Sequence, residues 1–361
     1  MDFSERLSML RAADGDPALL ALATVELVHS ELPIEEREII RRALLAAAVP
    51  HWFDPPFLGS LLAVDEPEAE RLHVKLCDLM AVEPFSARGE LAVNVHESAR
   101  LALREHLRKS DPEQWRTLAE RARAHLVASS SIHARIEALH HLFAIDQEAA
   151  GAECETLDQE FMNNPEKRQA LAISLSEMAA TGWLRGSALV ESLLIPLEVR
   201  RQRGETAKLA PEAFNVTRLA ENHPKSSCLA RAECLVGDVY KSQGRLDAAL
   251  TSFQKSLAIV EQLVQDDPSN ANWQCDLGAA HSRLGDVYTS QGRLDAALAS
   301  FQKSLAILEN LVEGDPSNAN WKRELDALKV RLGKATKRRR PQQRAKGFLE
   351  AGDQHGGKRI Q

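Results

Sequence analysis

The chain contains one 37-residue segment twice in succession, and this duplication limits its fold more than any other feature. Residues 237–273 read GDVYKSQGRLDAALTSFQKSLAIVEQLVQDDPSNANW, and residues 285–321 read GDVYTSQGRLDAALASFQKSLAILENLVEGDPSNANW. The offset is 48 residues, and six of the 37 positions differ. A chain that repeats a unit of this length stacks similar modules side by side instead of building one closed core.

Each copy has the apolar spacing of two consecutive helices. In the second copy, Leu284, Val287 and Tyr288 share one helical face, and Gln291-Gly292 ends that helix. Apolar residues at helical spacing then resume at Leu294, Ala297, Leu298, Phe301, Leu305 and Leu308. Asp315-Pro316-Ser317 ends this second helix and supplies a cap for the next one. The sequence therefore predicts a helix pair in each copy, helix A followed by helix B.

These helix pairs resemble the tetratricopeptide repeat. The family pattern of Gly and Tyr in helix A and Ala and Phe in helix B is matched by Gly237, Tyr240, Ala249 and Phe253, and again by Gly285, Tyr288, Ala297 and Phe301. The resemblance implies an all-α solenoid with repeats at about 229–268 and 277–316 and a capping helix at 318–337. His281 stands where the family often has Trp, and the 48-residue period exceeds the usual length of about 34, so helix B should be about two to three turns longer.

The resemblance also implies a concave groove, walled by helix A, that binds a protein or peptide. The expected groove positions are polar and mixed in sign: Arg231, Cys234, Asp238, Lys241, Ser242, Ala279, Ser282, Asp286, Thr289 and Ser290. The family's clamp for the carboxylate tails of chaperones uses Lys and Asn where this chain has Cys234, Asp238, Ser282 and Asp286, so that ligand is not expected. Simple solvation of these positions remains the alternative.

The N-terminal part combines helices with one predicted hairpin. Helical spacing over 35–48 is followed by helix starts at Asp54-Pro55 and Pro67, and helix resumes over 96–107. Between them, 81–85 and 91–95 read as short strands joined by a turn. This order resembles the winged-helix segment of bacterial signal-transduction ATPases with numerous domains (STAND), and Ala134 to Phe143 resembles the helical arm that follows it. We therefore expect a winged-helix-like domain at 1–110.

A helical arm or degenerate helical repeats should occupy 111–224, ahead of the tetratricopeptide array at 225–337. Predicted helices lie at about 112–127, 132–145, 147–162, 166–181, 183–202 and 211–222. The resulting fold class is all-α: an α-solenoid of tetratricopeptide-type helix pairs preceded by the winged-helix-like domain.

Charge separates the body of the chain from its end. The net charge is −7, but residues 334–361 carry nine Lys or Arg against two Asp or Glu. We predict a basic, disordered tail at 338–361 that makes at most weak contact with nucleic acid. The sequence shows no signal peptide and no membrane span, and its five cysteines form no CxxC pair, so a cytoplasmic location is expected.

No motif indicates catalysis, a cofactor or a metal. Gly352 to Arg359 fits the spacing of a phosphate-binding loop but has Arg359 where a hydroxyl must reach magnesium. His133, Glu137, His140 and His141 could share a helix face, but no second Glu-x-x-His element accompanies them. We predict a non-enzymatic chain without cofactor or metal.

Two functional classes stay open at this point. The first is a protein-binding scaffold or sensor module, as a detached part of a STAND-type signalling ATPase. The second is a winged-helix DNA-binding transcriptional regulator with a tetratricopeptide sensor. Charge opposes the second, because residues 1–110 contain 12 Lys or Arg against 19 Asp or Glu.

Overall fold

A computed structural model describes residues 8, 11, 13, 15–223 and 226–356, with side chains described as far as residue 339. Packing divides the chain into two compact units, Met1–Glu153 and Cys154–Gln361. Among the described residues, helix predominates, and none of the helices is both long enough and apolar enough to span a membrane.

The first unit contains seven complete helices in its described part. They are α1 (Pro17–Val28), α2 (Ile34–Ala47), α3 (Pro55–Leu62), α4 (Glu66–Cys77), α5 (Glu97–Ser110), α6 (Pro112–Val127) and α7 (Ile132–Ile145). Several of these helices have an aspartate as N-cap and a proline in the first turn. The Asp54 carboxylate accepts the Phe57 N–H at 2.9 Å, and the Asp65 carboxylate accepts the Glu68 N–H at 3.1 Å. These caps satisfy backbone donors that the first helical turn leaves unpaired.

The predicted hairpin is confirmed. β1 (Val82–Pro84) pairs antiparallel with β2 (Val93–Val95), and Phe53 adds a single bridge to Val93. Phe53 is fully buried against the helices of the first unit, so the hairpin is attached to the core by this bridge.

The segment after residue 110 begins inside the first unit. Arg121 in α6 donates to the Leu61 carbonyl at 2.8 Å, and His125 lies 2.8 Å from the Ser60 hydroxyl. These contacts join α6 to α3, so the predicted arm at 111–224 is divided between the two units. The predicted domain limits stay a prediction.

The second unit is a succession of helices. It contains most of α8 (Gln147–Phe161), then α9 (Pro165–Ala180), α10 (Gly186–Gln202), α11 (Ala210–Ala220), α12 (Ser227–Ser242), α13 (Leu246–Asp266), α14 (Ala271–Ser290), α15 (Leu294–Gly314) and α16 (Ala319–Gly356). The six helices predicted over 112–222 are confirmed to within about three residues at each end.

The two predicted helix pairs are α12 with α13 and α14 with α15. In each pair a glycine of helix A lies directly under a phenylalanine of helix B, Gly237 under Phe253 and Gly285 under Phe301. The short turns between the helices place Gly244 and Gly292 at φ of 73° and 74°, a conformation that favours glycine. The 48-residue period is longer than usual because helix A and helix B are both long. The B helices α13 and α15 have 21 residues each, and the A helix α14 has 20.

The structure describes α16 as one helix to Gly356, and residues 357–361 lie outside the described residues. The disordered tail expected at 338–361 stays a prediction. Arg339 forms an ion pair of 2.6 Å with Asp295, as Gln291 contacts Asp247 at 2.8 Å one repeat earlier. The repeat register therefore extends at least to Arg339.

Candidate functional site: a polar groove along the A helices

A groove of about 420 Å³ runs along the helix-A side of the second unit. Its walls come from α12, α14 and α16, the successive A helices, together with α8, α9 and α10 and with a few residues of the B helices α13 and α15. We call this feature the A-helix groove. A hydrogen bond of 2.7 Å between the Asn272 and Gln159 side chains joins α14 to α8 beside it.

Six of the ten predicted groove residues line this groove: Arg231, Cys234, Asp238, Ala279, Ser282 and Asp286. The other four, Lys241, Ser242, Thr289 and Ser290, lie further along the A helices and do not line it. The three hydroxyls among them donate to carbonyls of their own helix at 2.7 to 3.0 Å. The part that these ten residues take in binding stays a prediction.

Arg168, Arg231, Asp158 and Glu198 form the floor of the A-helix groove, and Arg231 is also paired with Glu191, which does not line the groove. Arg231 donates to Glu191 at 2.9 Å and to Glu198 at 2.7 Å, while Arg168 donates to both oxygens of Asp158 at 2.6 and 2.8 Å. Burial alone would raise the pKa of Glu198, but Arg231 and Arg168 outweigh it and hold this pKa at about 2. The floor is therefore a set of buried ion pairs in which each charge has a partner.

Further ion pairs continue along the wall. Asp238 accepts from Arg201 at 3.1 Å and lies 3.8 Å from Arg283. Asp286 lies 3.4 Å from Lys241 and 3.6 Å from Arg331, which reaches it from α16. These pairs join α10, α12, α14 and α16, so they connect neighbouring helices of the wall.

Three carboxylates that line the groove, Asp276 of α14, Glu155 of α8 and Glu324 of α16, have no side-chain hydrogen bond or ion pair with any residue that the structure describes. Burial raises the pKa of Asp276 to about 6, opposed by the charge of Arg231 and reinforced by that of Glu155. Burial likewise raises the pKa of Glu191 to about 7 although Arg231 is its partner, so the raised values at both carboxyls have burial as their main cause.

The repeat pattern of the sequence did not predict the contribution of α8, α9 and α10 to the groove. It placed the groove on the repeats alone, yet Asp158, Arg168, Glu198 and Arg201 come from the preceding helices. One signal was present: Glu191 and Glu198 interrupt the otherwise apolar run of α10 seven residues apart, on one helical face. Acidic residues at buried positions indicate cationic partners elsewhere in the fold.

The histidine-rich segment of α7 packs against His51 in the first unit, and His51 is hydrogen-bonded to Glu137. The Glu137 carboxylate lies 2.6 Å from Nδ1 of His51 and 3.4 Å from Nε2 of His141, and the His140 ring packs 4.6 Å from that of His51. His133 is exposed. Burial lowers the pKa of His51 to about 4. Within the described residues, no group of three or more His, Cys, Asp or Glu side chains has an arrangement that could hold a metal ion.

Family models for the tetratricopeptide repeat match residues 228–286 and 278–317. Among solved structures, BtubC from P. vanneervenii is 16% identical, with a TM-score of 0.38, over 64% of this chain and 95% of its own. A Signal Transduction ATPase with Numerous Domains from Pyrococcus horikoshii, with a tetratricopeptide repeat sensor, is 13% identical over 97% of this chain, with a TM-score of 0.41. This chain spans 56% of the length of that ATPase. A comparison with curated protein sequences finds no significant match.

The fold and the site together define a helical interaction module. Residues 228–317 are tetratricopeptide repeats, and repeats of this kind are protein-interaction scaffolds.

Proposed function

We propose that the chain is a non-catalytic, cytoplasmic module that binds a protein or peptide in the A-helix groove. The observation that supports this most directly is the groove itself, a concave surface of about 420 Å³ on the A helices of a repeat array. Stacked helix pairs create concave surfaces of this kind, which repeat proteins use for binding. A volume near 400 Å³ lies within the usual range of ligand pockets and admits a short peptide segment.

A peptide-display selection on the full chain tests this proposal. Ala279 lines the groove, so Ala279→Phe fills it, while Ala299→Phe places the same ring on the exposed surface of α15. We expect peptides selected on the wild-type chain to lose at least about tenfold in affinity for Ala279→Phe and to keep their affinity for Ala299→Phe. Equal affinity for both variants would place binding outside the groove.

We propose further that this module acts with a STAND-type signalling ATPase as its sensor. The support is the resemblance of AVPHWFDPPFLGSLL, VNVHESARLALREHL and ARIEALHHLF to the segments that follow the motor domain in those proteins. Adding the chain to a purified ATPase of this class encoded in the same genome should change its rate of ATP hydrolysis. An unchanged rate, with and without groove-binding peptide, would contradict the sensor role.

DNA binding gains no support from the structure. α4, the segment that would enter the major groove, begins with Glu66 and Glu68 in its first turn. Its exposed positions also include Glu70 and Val74. Phosphate contacts require Lys and Arg at such positions.

A further inference from the structure

The third A helix, α16, keeps the repeat register of the two A helices before it. Arg283 of α14 lies 3.8 Å from Asp238 of α12. One repeat later, Arg331 of α16 lies 3.6 Å from Asp286 of α14. Each of residues 331–339 therefore holds the position on α16 that the residue 48 places earlier holds on α14.

Three positions on the groove side of α16 differ in charge from their equivalents in the earlier repeats. In α12 and α14 these positions carry a mixture of acidic, basic and hydroxyl side chains: Asp238, Lys241, Ser242, Asp286, Thr289 and Ser290. In α16 all three are basic: Lys334, Lys337 and Arg338. The three side chains are exposed, and none has a hydrogen bond or ion pair with any residue that the structure describes. We call these three residues the cationic end of α16.

The position of α16 in the array explains why these cations are unpaired. In the first repeat, Lys241 reaches forward to Asp286 on the following A helix at 3.4 Å. Lys337 holds the position of Lys241 on α16, and no further A helix follows among the described residues to supply a carboxylate. Asp286 itself is already shared between Lys241 and Arg331.

Arg331 connects the cationic end of α16 with the A-helix groove. It lines the groove, its side chain is 41% exposed, and it lies three residues before Lys334 on the same helix. A peptide that leaves the groove past Arg331 would therefore meet Lys334 first and Arg338 next. Unpaired cations beside a binding groove favour a ligand with negative charge at the matching place.

Resting on the proposed function, we propose that the peptide ligand carries two acidic side chains that pair with the cationic end of α16 while the adjoining part of the peptide occupies the A-helix groove. Lys334 and Arg338 are four residues apart, which is a rise of about 6 Å along a helix. In an extended peptide, side chains two residues apart lie on the same side and are separated by about 6.6 Å. Two Asp or Glu residues with one residue between them match this spacing.

An acidic peptide suits this surface better than a nucleic acid does. The phosphates of a nucleic acid continue along its whole length, whereas the unpaired cations are confined to one end of α16. The groove beside them is lined by carboxylates such as Asp238, Asp286 and Glu324. Residues 1–333 carry 36 Lys or Arg against 50 Asp or Glu, so most of the chain repels a polyanion.

Peptide selection on the full chain tests the inference with a displayed library of random ten-residue sequences. On the wild-type chain, we expect the selected peptides to share two acidic positions with one residue between them. The double variant Lys334→Gln/Arg338→Gln should remove this preference. The matched control Lys208→Gln/Lys303→Gln, which neutralises two exposed lysines outside the groove, should keep it. Thermal melting of both variants checks that they fold.

Reversal of the two charges gives a second measurement. The variant Lys334→Glu/Arg338→Glu should select Lys or Arg at the positions where the wild-type chain selects Asp or Glu. One selected peptide would also be synthesised with glutamate and with glutamine at those positions. We expect the wild-type chain to bind the glutamate form about fivefold more tightly at low salt, because exposed ion pairs contribute modestly. The difference should shrink at about 0.5 M sodium chloride, where the screening length is short.

The possible outcomes separate the inference from the proposed function. Selected peptides without an acidic preference, whose binding is lost in Ala279→Phe, would overturn the inference and leave groove binding standing. An acidic preference that persists in Lys334→Gln/Arg338→Gln would overturn the inference as well. A short DNA duplex that binds more tightly than the selected peptides, and no longer binds this variant, would assign the cationic end to nucleic acid instead. If no selected peptide lost its binding in Ala279→Phe, both proposals would be overturned.

Discussion

The substitution Gly285→Ala tests the contact that holds each helix pair together. A Cβ atom at this position would lie 2.5 Å from Cε1 and 2.6 Å from Cδ1 of Phe301. Carbon atoms prefer separations of about 3.5 to 4.0 Å, so the ring or the helix must move by about 1 Å. Phe301 is 1% exposed and cannot swing into solvent. The strain must therefore be taken up by the packing between α14 and α15.

Two opposing effects set the change in the free energy of unfolding that Gly285→Ala causes. Alanine is favoured over glycine inside a helix by about 1 kcal/mol. Overpacking a well-filled core costs about 1 to 3 kcal/mol, and a fully buried aromatic ring places this site toward the upper end. We expect Gly285→Ala to lower the free energy of unfolding of the second unit by about 1 to 2 kcal/mol.

The third A helix supplies the matched control. Gly333 lies 48 residues after Gly285, and a Cβ atom built there meets no heavy atom within 4 Å. Gly333→Ala should therefore raise stability by about 0.5 to 1 kcal/mol through helix propensity alone. The same substitution at equivalent positions of successive A helices should thus have opposite signs.

Urea and thermal unfolding of the full chain, followed by circular dichroism and by tryptophan fluorescence, would measure both changes. Gly285→Ala should cost less in a Phe301→Leu background than in the wild-type chain, because the smaller side chain vacates the space that the new methyl group requires. An equal gain in stability for Gly285→Ala and Gly333→Ala would refute the close contact between Gly285 and the Phe301 ring.

Four further predictions concern other parts of the chain. Ala297→Leu, at a fully buried position of helix B, should cost about 1 to 3 kcal/mol, and an unchanged melting temperature would show that the repeat frame is misplaced. The pKa of His51 is about 4 in the folded chain and about 6.5 when unfolded, so the unfolded chain binds the extra proton in this window. Stability should therefore fall as the pH drops from 6.5 to 4, and His51→Gln should reduce that slope in urea titrations at several pH values. Deleting residues 341–361 should change the free energy of unfolding by less than about 0.5 kcal/mol while weakening retention on heparin, and a large loss of melting temperature would mean that this segment packs on the array. Calorimetric titration with Mg-ATP should detect no binding at micromolar concentrations, because no glycine-rich loop follows a strand in the sequence.

The repeats were predictable because their signals are local. Apolar spacing sets each helix, and Gly244 and Gly292 mark the turns where φ is positive. The predicted hairpin also follows from a short alternating pattern beside Gly89. None of these features depends on residues far away in the chain.

The floor of the A-helix groove could not be predicted in the same way. Arg231 and Glu191 are 40 residues apart, and only the packing of α10 against α12 brings them together. Sequence spacing gives no measure of such a distance. The contact between Arg339 and Asp295 likewise joins residues that are far apart in the sequence.

The glycine and phenylalanine that meet in each helix pair make the array extensible in evolution. Each 48-residue unit carries both halves of its own contact, and it also carries the polar turn that joins it to its neighbour. A gene duplication in steps of 48 codons would therefore insert a unit that already fits on both sides, with no compensating substitution required. On the third A helix, Gly333 keeps the glycine that a further phenylalanine would pack against. Homologues that differ in repeat number would then differ in the length of the A-helix groove. The size of the ligand could change in steps of one 48-residue repeat, while the residues that line each repeat stay the same.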